Sequence, residues 1–186
     1  MRVLGKLKTA IIDIGSNTIR LVMYRYDKNE GLHEFGNIKT VARLRTFILP
    51  NGEMSKEGIQ LLSKTLTTFK RILHDYQITN VQAVATAAVR QAINNDQILL
   101  RMETETGIKI GILSEEEEAY FGFLAVANSM STPSAVTIDI GGGSTEITLF
   151  KNKSLQKTWS FPFGTVSLKQ KFVRNGTITE EERQAL

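Results

Sequence analysis

The sequence predicts an α/β protein in which helices pack on a mixed sheet. Three observations predict it. One Asp–Gly phrase occurs twice, strand–helix alternation follows the first copy, and a polar linker precedes the second. The phrase reads "AIIDIGSNTIRLVMY" from residue 10 and "AVTIDIGGGSTEITLF" from residue 135. Ile12-Asp13-Ile14-Gly15 aligns with Ile138-Asp139-Ile140-Gly141, Thr18 with Ser144, Leu21 with Ile147, and Met23-Tyr24 with Leu149-Phe150. The offset from Asp13 to Asp139 is 126 residues. Solenoid repeats recur every ~20–50 residues, so this spacing indicates two similar units.

Each element has its own signal. Residues 10–14 and 19–26 read as a hairpin pair and 38–44 as a third strand. Ser55 caps a helix in which Ile59, Leu62, Leu66, Phe69 and Leu73 recur at three- and four-residue steps. Val81–Ala85 is a short buried strand, Thr86–Ala92 starts a helical stretch, and Ile98–Met102 belongs to a further helix that Gly107 ends. Strand 108–113 and a helix from Ser114 to about Asn128 complete the first unit. "NSMSTPS" at 128–134 is polar, small and contains Pro133, as a linker should. The second copy then begins, with Trp159, Phe161 and Phe163 in its third strand. Three strands followed by strand–helix alternation imply a mixed sheet with helices on it.

The expected division is a complete first unit at 1–130 and an incomplete second unit at 131–186, because only 53 residues follow Pro133. A half-built unit should expose apolar surface near the C-terminus, or cover it by forming a homodimer.

Composition narrows the function. The 186 residues are 41% hydrophobic and 23% charged, which suits one ordinary core or two small ones. The net charge of +4 comes from scattered basic residues, with no Lys/Arg block interleaved with aromatics, so nucleic acid is not an expected partner. The absence of cysteine excludes disulfides, thiolate catalysis and Cys-ligated zinc. Asp13 interrupts the N-terminal apolar run, and no stretch reaches the ~18 apolar residues of a membrane span. The expectation is therefore a cytoplasmic protein with no membrane partner.

The twin turns carry the chemistry. Glycine permits positive φ and close backbone approach to a ligand, and successive amides in such a turn form a concave site for an anion. An aspartate at the strand end repels phosphate, but it can hold a hard cation that in turn carries phosphate. One such turn is ordinary hairpin chemistry; two in matched context point to a phosphate–metal site.

Paired Asp-x-Gly hairpins opening two related domains resemble the actin-like phosphotransferase superfamily, with its ribonuclease H-like fold. More narrowly, "IDIGSNTIRLVMY" and "IDIGGGSTE" resemble the exopolyphosphatase/guanosine-pentaphosphate phosphohydrolase family. "ATAAVRQA", "LSEEEEAYFGF" and "FPFGTVSL" fit three further motifs of that family, all in the family's order. The resemblance implies a magnesium-dependent hydrolase that releases phosphate from inorganic polyphosphate or guanosine pentaphosphate. Its phosphate ligands would come from Gly15, Ser16, Asn17 and Thr18, from Gly141, Gly142, Gly143, Ser144 and Thr145, and from Arg90. Mg2+ would sit on Asp139, Asp13 and Glu146. Glu118, aided by Glu146, would activate water.

These residues also have readings of their own. Ser114 and Glu117 form a capping box, and four glutamates at a helix start favour its dipole. Glu118 is placed on a face with Phe121 and Ala125, where an apolar setting would raise its pKa and suit a base. Arg90 projects from a turn of small residues, and a guanidinium suits bidentate phosphate contacts. Glu146 is the counterpart of Arg20 in the repeat. Arg43-Leu44 fits an Arg-Leu-Gly pattern of the family, but Arg45 replaces the Gly. Two other readings stay open: an ATP-dependent kinase of the same superfamily, and a module that binds polyphosphate or an alarmone without turnover.

Overall fold

A computed structural model describes residues 7–174 and 176–185. The start of the N-terminal segment and the last residue of the second unit lie outside the described residues. The first sheet has five strands: β1 (Lys8–Ile14), β2 (Thr18–Asp27), β3 (Gly31–Val41), β4 (Asn80–Ala85) and β5 (Ile110–Ile112), in the order β3-β2-β1-β4-β5. β2 is antiparallel to β1 and β3, whereas β4 runs parallel to β1 and β5 to β4. This is the mixed five-stranded sheet expected.

A 3-10 turn (Leu44–Phe47) leads to helix α1 (Lys56–Asp75), followed after β4 by the single turn α2 (Ala87–Arg90) and by α3 (Asn95–Thr106). Ser55 caps α1 by accepting from the Gly58 amide, and Gly107 ends α3 in the left-handed region. Ala10, Ile12 and Ile14 alternate inward along β1 and meet Leu62, Leu66 and Phe69 of α1 in one core. These aliphatic and aromatic side chains are almost fully removed from water, at roughly 1.5–3 kcal/mol each for the larger ones.

Two strand expectations need correction. The third strand runs from Gly31 to Val41, not 38–44, because the Tyr26–Leu32 and Met23–Gly36 pairings extend the hairpin back to a tight turn. Arg43 and Leu44 fall in the 3-10 turn. Phe163 lies beyond the last strand rather than in it.

The second sheet is β6 (Ala135–Ile140), β7 (Thr145–Lys151) and β8 (Ser154–Phe161), all antiparallel neighbours. The repeat holds to fine detail. Asp13 pairs with Arg20 across the first hairpin, and Asp139 with Glu146 across the second. Gly15 donates to the Thr18 carbonyl at 2.9 Å, and Gly141 to that of Ser144 at 3.0 Å. Both ladders slip register at the same aligned place, Met23/Tyr24 and Leu149/Phe150.

Helix α4 (Glu115–Ser129) follows β5, yet its apolar face rests on the second sheet. Phe123 and Ala127 pack with Phe150, with Leu124 and Leu155 alongside. Helix α5 (Thr165–Phe172) follows β8, and α6 (Glu180–Ala185) comes last. Apolar surface is indeed exposed on β6. Val136, Ile138 and Ile140 are each more than half exposed, where their counterparts Ala10, Ile12 and Ile14 are fully buried under α1 and beside β4. Among the described residues no helix is long and apolar enough to cross a membrane.

Candidate active site

The two glycine turns face each other. A methyl group on Gly142 would stand 3.0 Å from the Asn17 amide nitrogen, and one on Gly143 would collide with the Ser16 hydroxyl. Between the turns opens a cavity of ≈ 310 Å³, lined by both turns, by Asp13, Asp139 and Glu118, and by Thr86 and Thr165. Asp13 and Asp139 therefore share one crevice.

Each turn presents amides because its carbonyls are tied elsewhere. The Asn17 carbonyl accepts from Ala42 (3.0 Å) and Arg43 (2.8 Å), and that of Ser16 from Arg45 (3.0 Å). In the second turn the Gly141 carbonyl accepts from Thr165 (2.9 Å), and that of Gly142 from Val166 (3.0 Å) and Ser167 (3.2 Å). The amides of Ser16, Asn17, Gly142 and Gly143 have no partner among the described residues, so they can serve an anion. The Ser16 hydroxyl is likewise buried without a partner.

Gly164 secures this arrangement. Its α-carbon lies so close to the Gly141–Gly143 backbone that any side chain would collide with it. The "FPFGTVSL" motif thus acts as a backbone clamp on the second turn, a role that its sequence alone did not assign. Thr86, Thr165 and Ser160 were also missed as site residues. In the sequence Thr86 marks only the start of a helical stretch, Thr165 lies within that motif without a distinguishing signal, and Ser160 carries none.

Acids dominate the site. Glu118, at the start of α4, accepts from Arg90 Nη1 through Oε2 at 2.8 Å. The same nitrogen donates to the Leu113 carbonyl at 2.9 Å, and Nη2 lies 3.9 Å from Glu115. Burial pushes the Glu118 carboxyl above its ordinary range; Arg90 opposes the shift, and Glu146 and Asp13 add to it. Burial also raises Glu146, against hydrogen bonds from Ser144 and Ser160, with Asp139 pushing the same way. Asp13 keeps solvent access at the cavity mouth, but the surrounding protein raises it too; Arg20 opposes this and Asp139 reinforces it.

Not every expected contact forms. Glu118 is partly buried, but not by the face proposed for it: Phe121 and Ala125 point to solvent, and Glu118 is covered by the Arg90 turn and the cavity wall. Arg90 is not among the residues lining the cavity: its Nη1 is engaged by Glu118 and the Leu113 carbonyl, while Nη2 is buried without a hydrogen-bond partner. Thr145 does not line it either, because its hydroxyl donates to the Phe163 carbonyl. Glu146 is buried behind the second turn on Ser160, at 3.1 Å.

A divalent cation fits this donor set. Four mutually repelling carboxyls face only Arg90 and Arg20 as compensation. Among the described residues no three His, Cys, Asp or Glu side chains are grouped so as to hold a metal ion by themselves. Magnesium needs only one or two protein carboxylates and completes its shell with water and phosphate oxygens. Asp139 and Asp13, which line the cavity from the two turns, are the carboxylates a cation there could reach, whereas Glu146 is withdrawn behind the second turn.

Fold and cavity together define a ribonuclease H-like α/β protein with two glycine turns closing on one acidic crevice. Residues 22–186 match the model of the Ppx/GppA phosphatase family. The chain belongs to that family. It is 30% identical over 171 residues to Exopolyphosphatase 1 of Mycobacterium tuberculosis, covering 90% of this chain and 49% of that protein. It is also 30% identical over 173 residues to guanosine-5'-triphosphate,3'-diphosphate pyrophosphatase of Pseudoalteromonas atlantica, covering 92% of this chain and 34% of that one. The crystal structure of the Aquifex aeolicus Ppx/GppA family member superposes with a TM-score of 0.77 at 30% identity, covering 96% of this chain and 58% of that one. The chain thus spans half or less of the two curated relatives.

Proposed function

We propose that this chain carries the catalytic crevice of a magnesium-dependent phosphoanhydride hydrolase, which releases phosphate from inorganic polyphosphate or guanosine pentaphosphate. One observation carries the reading. Two amide-presenting turns close on a single cavity whose wall also holds Glu118, a carboxylate fixed by an arginine.

The amides of Ser16, Asn17, Gly142 and Gly143 hold the oxygens of the terminal phosphate, and Thr18 and Ser144 line the same wall. Bound on Asp139 and its neighbours, magnesium would neutralise the acids and the phosphate oxygens together. Arg90 fixes Glu118 through Oε2, which leaves Oε1 for a water molecule. Glu118 takes a proton from that water as its oxygen bonds to the terminal phosphorus. The bridging P–O bond breaks, and its electron pair leaves with the shortened chain. A placed general base contributes roughly 10²–10⁴ in rate. The names of the relatives support both substrates, and the acid-rich crevice supports the metal.

The test is phosphate release from both substrates by the full-length protein, with magnesium and with a chelator. Release from polyphosphate without any acceptor supports hydrolysis over kinase chemistry. Tight magnesium-dependent binding without release would replace the reading with a binding module.

A further inference from the structure

Beside the acidic cavity runs a second depression, ≈ 430 Å³, between the 3-10 turn and α5. The two are neighbours, sharing Asn17 and Thr165 as lining residues. Their charge is opposite. The cavity is lined by Asp13, Glu118 and Asp139 and by no cation, whereas the groove is lined by Arg43 and Lys169 and by no acid. Neither Arg43 nor Lys169 forms an ion pair among the described residues. Nearby Arg45 is committed to Gln91 at 2.6 Å, and Lys171 lies over the Phe172 ring.

Arg43 is also held in an unusual conformation. Its φ of 49° lies in the left-handed region, which a side chain disfavours. Three bonds fix it there: its amide donates to the Asn17 carbonyl, and its own carbonyl accepts from the amide and hydroxyl of Thr46. The Asn17 bond belongs to the turn that presents amides to the cavity. The backbone that aims the first turn therefore also sets Arg43 beside the cavity.

Resting on the hydrolase reading above, we infer that the Arg43–Lys169 groove binds the distal phosphates of an inorganic chain whose terminal phosphate lies in the acidic cavity. A polyanion longer than the cavity needs positive charge where it emerges, and the groove offers two unpaired cations without a competing carboxylate. The site thereby prefers long chains over short ones and inorganic chains over nucleotides.

The experiment compares the full-length protein with its Arg43→Gly, Lys169→Gln double variant. Glycine keeps the left-handed backbone while removing the guanidinium. Substrates are long-chain polyphosphate, tripolyphosphate and guanosine pentaphosphate. The expected result is a KM for the long chain raised about tenfold or more, as loss of two charge-assisted contacts implies, with kcat little changed. KM for the two shorter substrates should move less than about threefold. An unchanged long-chain KM, an equal rise for tripolyphosphate, or an effect confined to the guanosine substrate overturns the inference. A wild-type protein that releases no phosphate overturns the hydrolase reading instead. The groove is then judged by direct binding of the long chain, and equal affinity of wild type and variant overturns it.

Discussion

Arg90 and Glu118 join at 2.8 Å across the boundary between the two sheets. Arg90 ends the turn after β4 of the first sheet, while Glu118 starts a helix whose apolar face belongs to the second. Both side chains are mostly withdrawn from solvent. A charged hydrogen bond so placed orients the carboxylate as well as stabilising it.

Replacing Glu118 by Gln preserves size and most contacts but removes the proton acceptor. Phosphate release by the full-length enzyme should fall by at least about 10²-fold with unchanged circular dichroism. Near-normal turnover would take Glu118 out of the role of base.

Arg90→Ala leaves a partly buried carboxylate without its cation, and a stability loss of about 1–3 kcal/mol is expected by denaturant titration. Adding Glu118→Gln should recover part of that loss, since the orphaned charge is then gone. Additive losses in the double variant would mean that the pair is not coupled.

The raised carboxyls make a signed pH prediction. Asp13, Glu118 and Glu146 bind protons more readily folded than unfolded, so their ionisation weakens the fold as pH rises through their folded values. Glu146→Gln should therefore raise the Tm at neutral pH, and the gain should fade on acidification. The same change removes a charge that raises Glu118, so the Glu118 carboxyl should titrate at lower pH by NMR. A Tm gain that persists at acidic pH would refute the linkage.

Gly143→Ala and Gly164→Ala should differ in kind. The first meets a serine side chain that can turn away, whereas the second meets backbone atoms of Gly141–Gly143 that cannot move without opening the turn. We expect Ser16→Ala to restore stability to the Gly143 variant but not to the Gly164 variant, which should lose about 1–3 kcal/mol or more. Thermal melts of the four proteins decide it.

Much of this was legible in the sequence, for a physical reason. The repeat of Asp13–Gly15 at Asp139–Gly141 encodes identical hairpins, and the periodic apolar residues of α1 encode the core, so both sheets and the shared crevice could be read from local pattern. The rest depends on contacts distant in sequence. That Arg90 commits Nη1 to Glu118, that Thr145 turns to Phe163, and that Gly164 clamps the second turn are settled by residues 18–28 positions away. Glu118 was singled out for the wrong surroundings. An Ala–Phe stripe on a helix does not reveal which sheet that helix will choose, and α4 buries Ala119, Phe123 and Ala127 instead of Phe121 and Ala125.

Helix α4 takes its seat from one sheet and its charge partner from the other. The angle between the halves and the depth at which the Glu118 carboxylate stands are therefore a single mechanical coordinate. Whatever draws the facing turns together also sets the reach of the group that must meet the water.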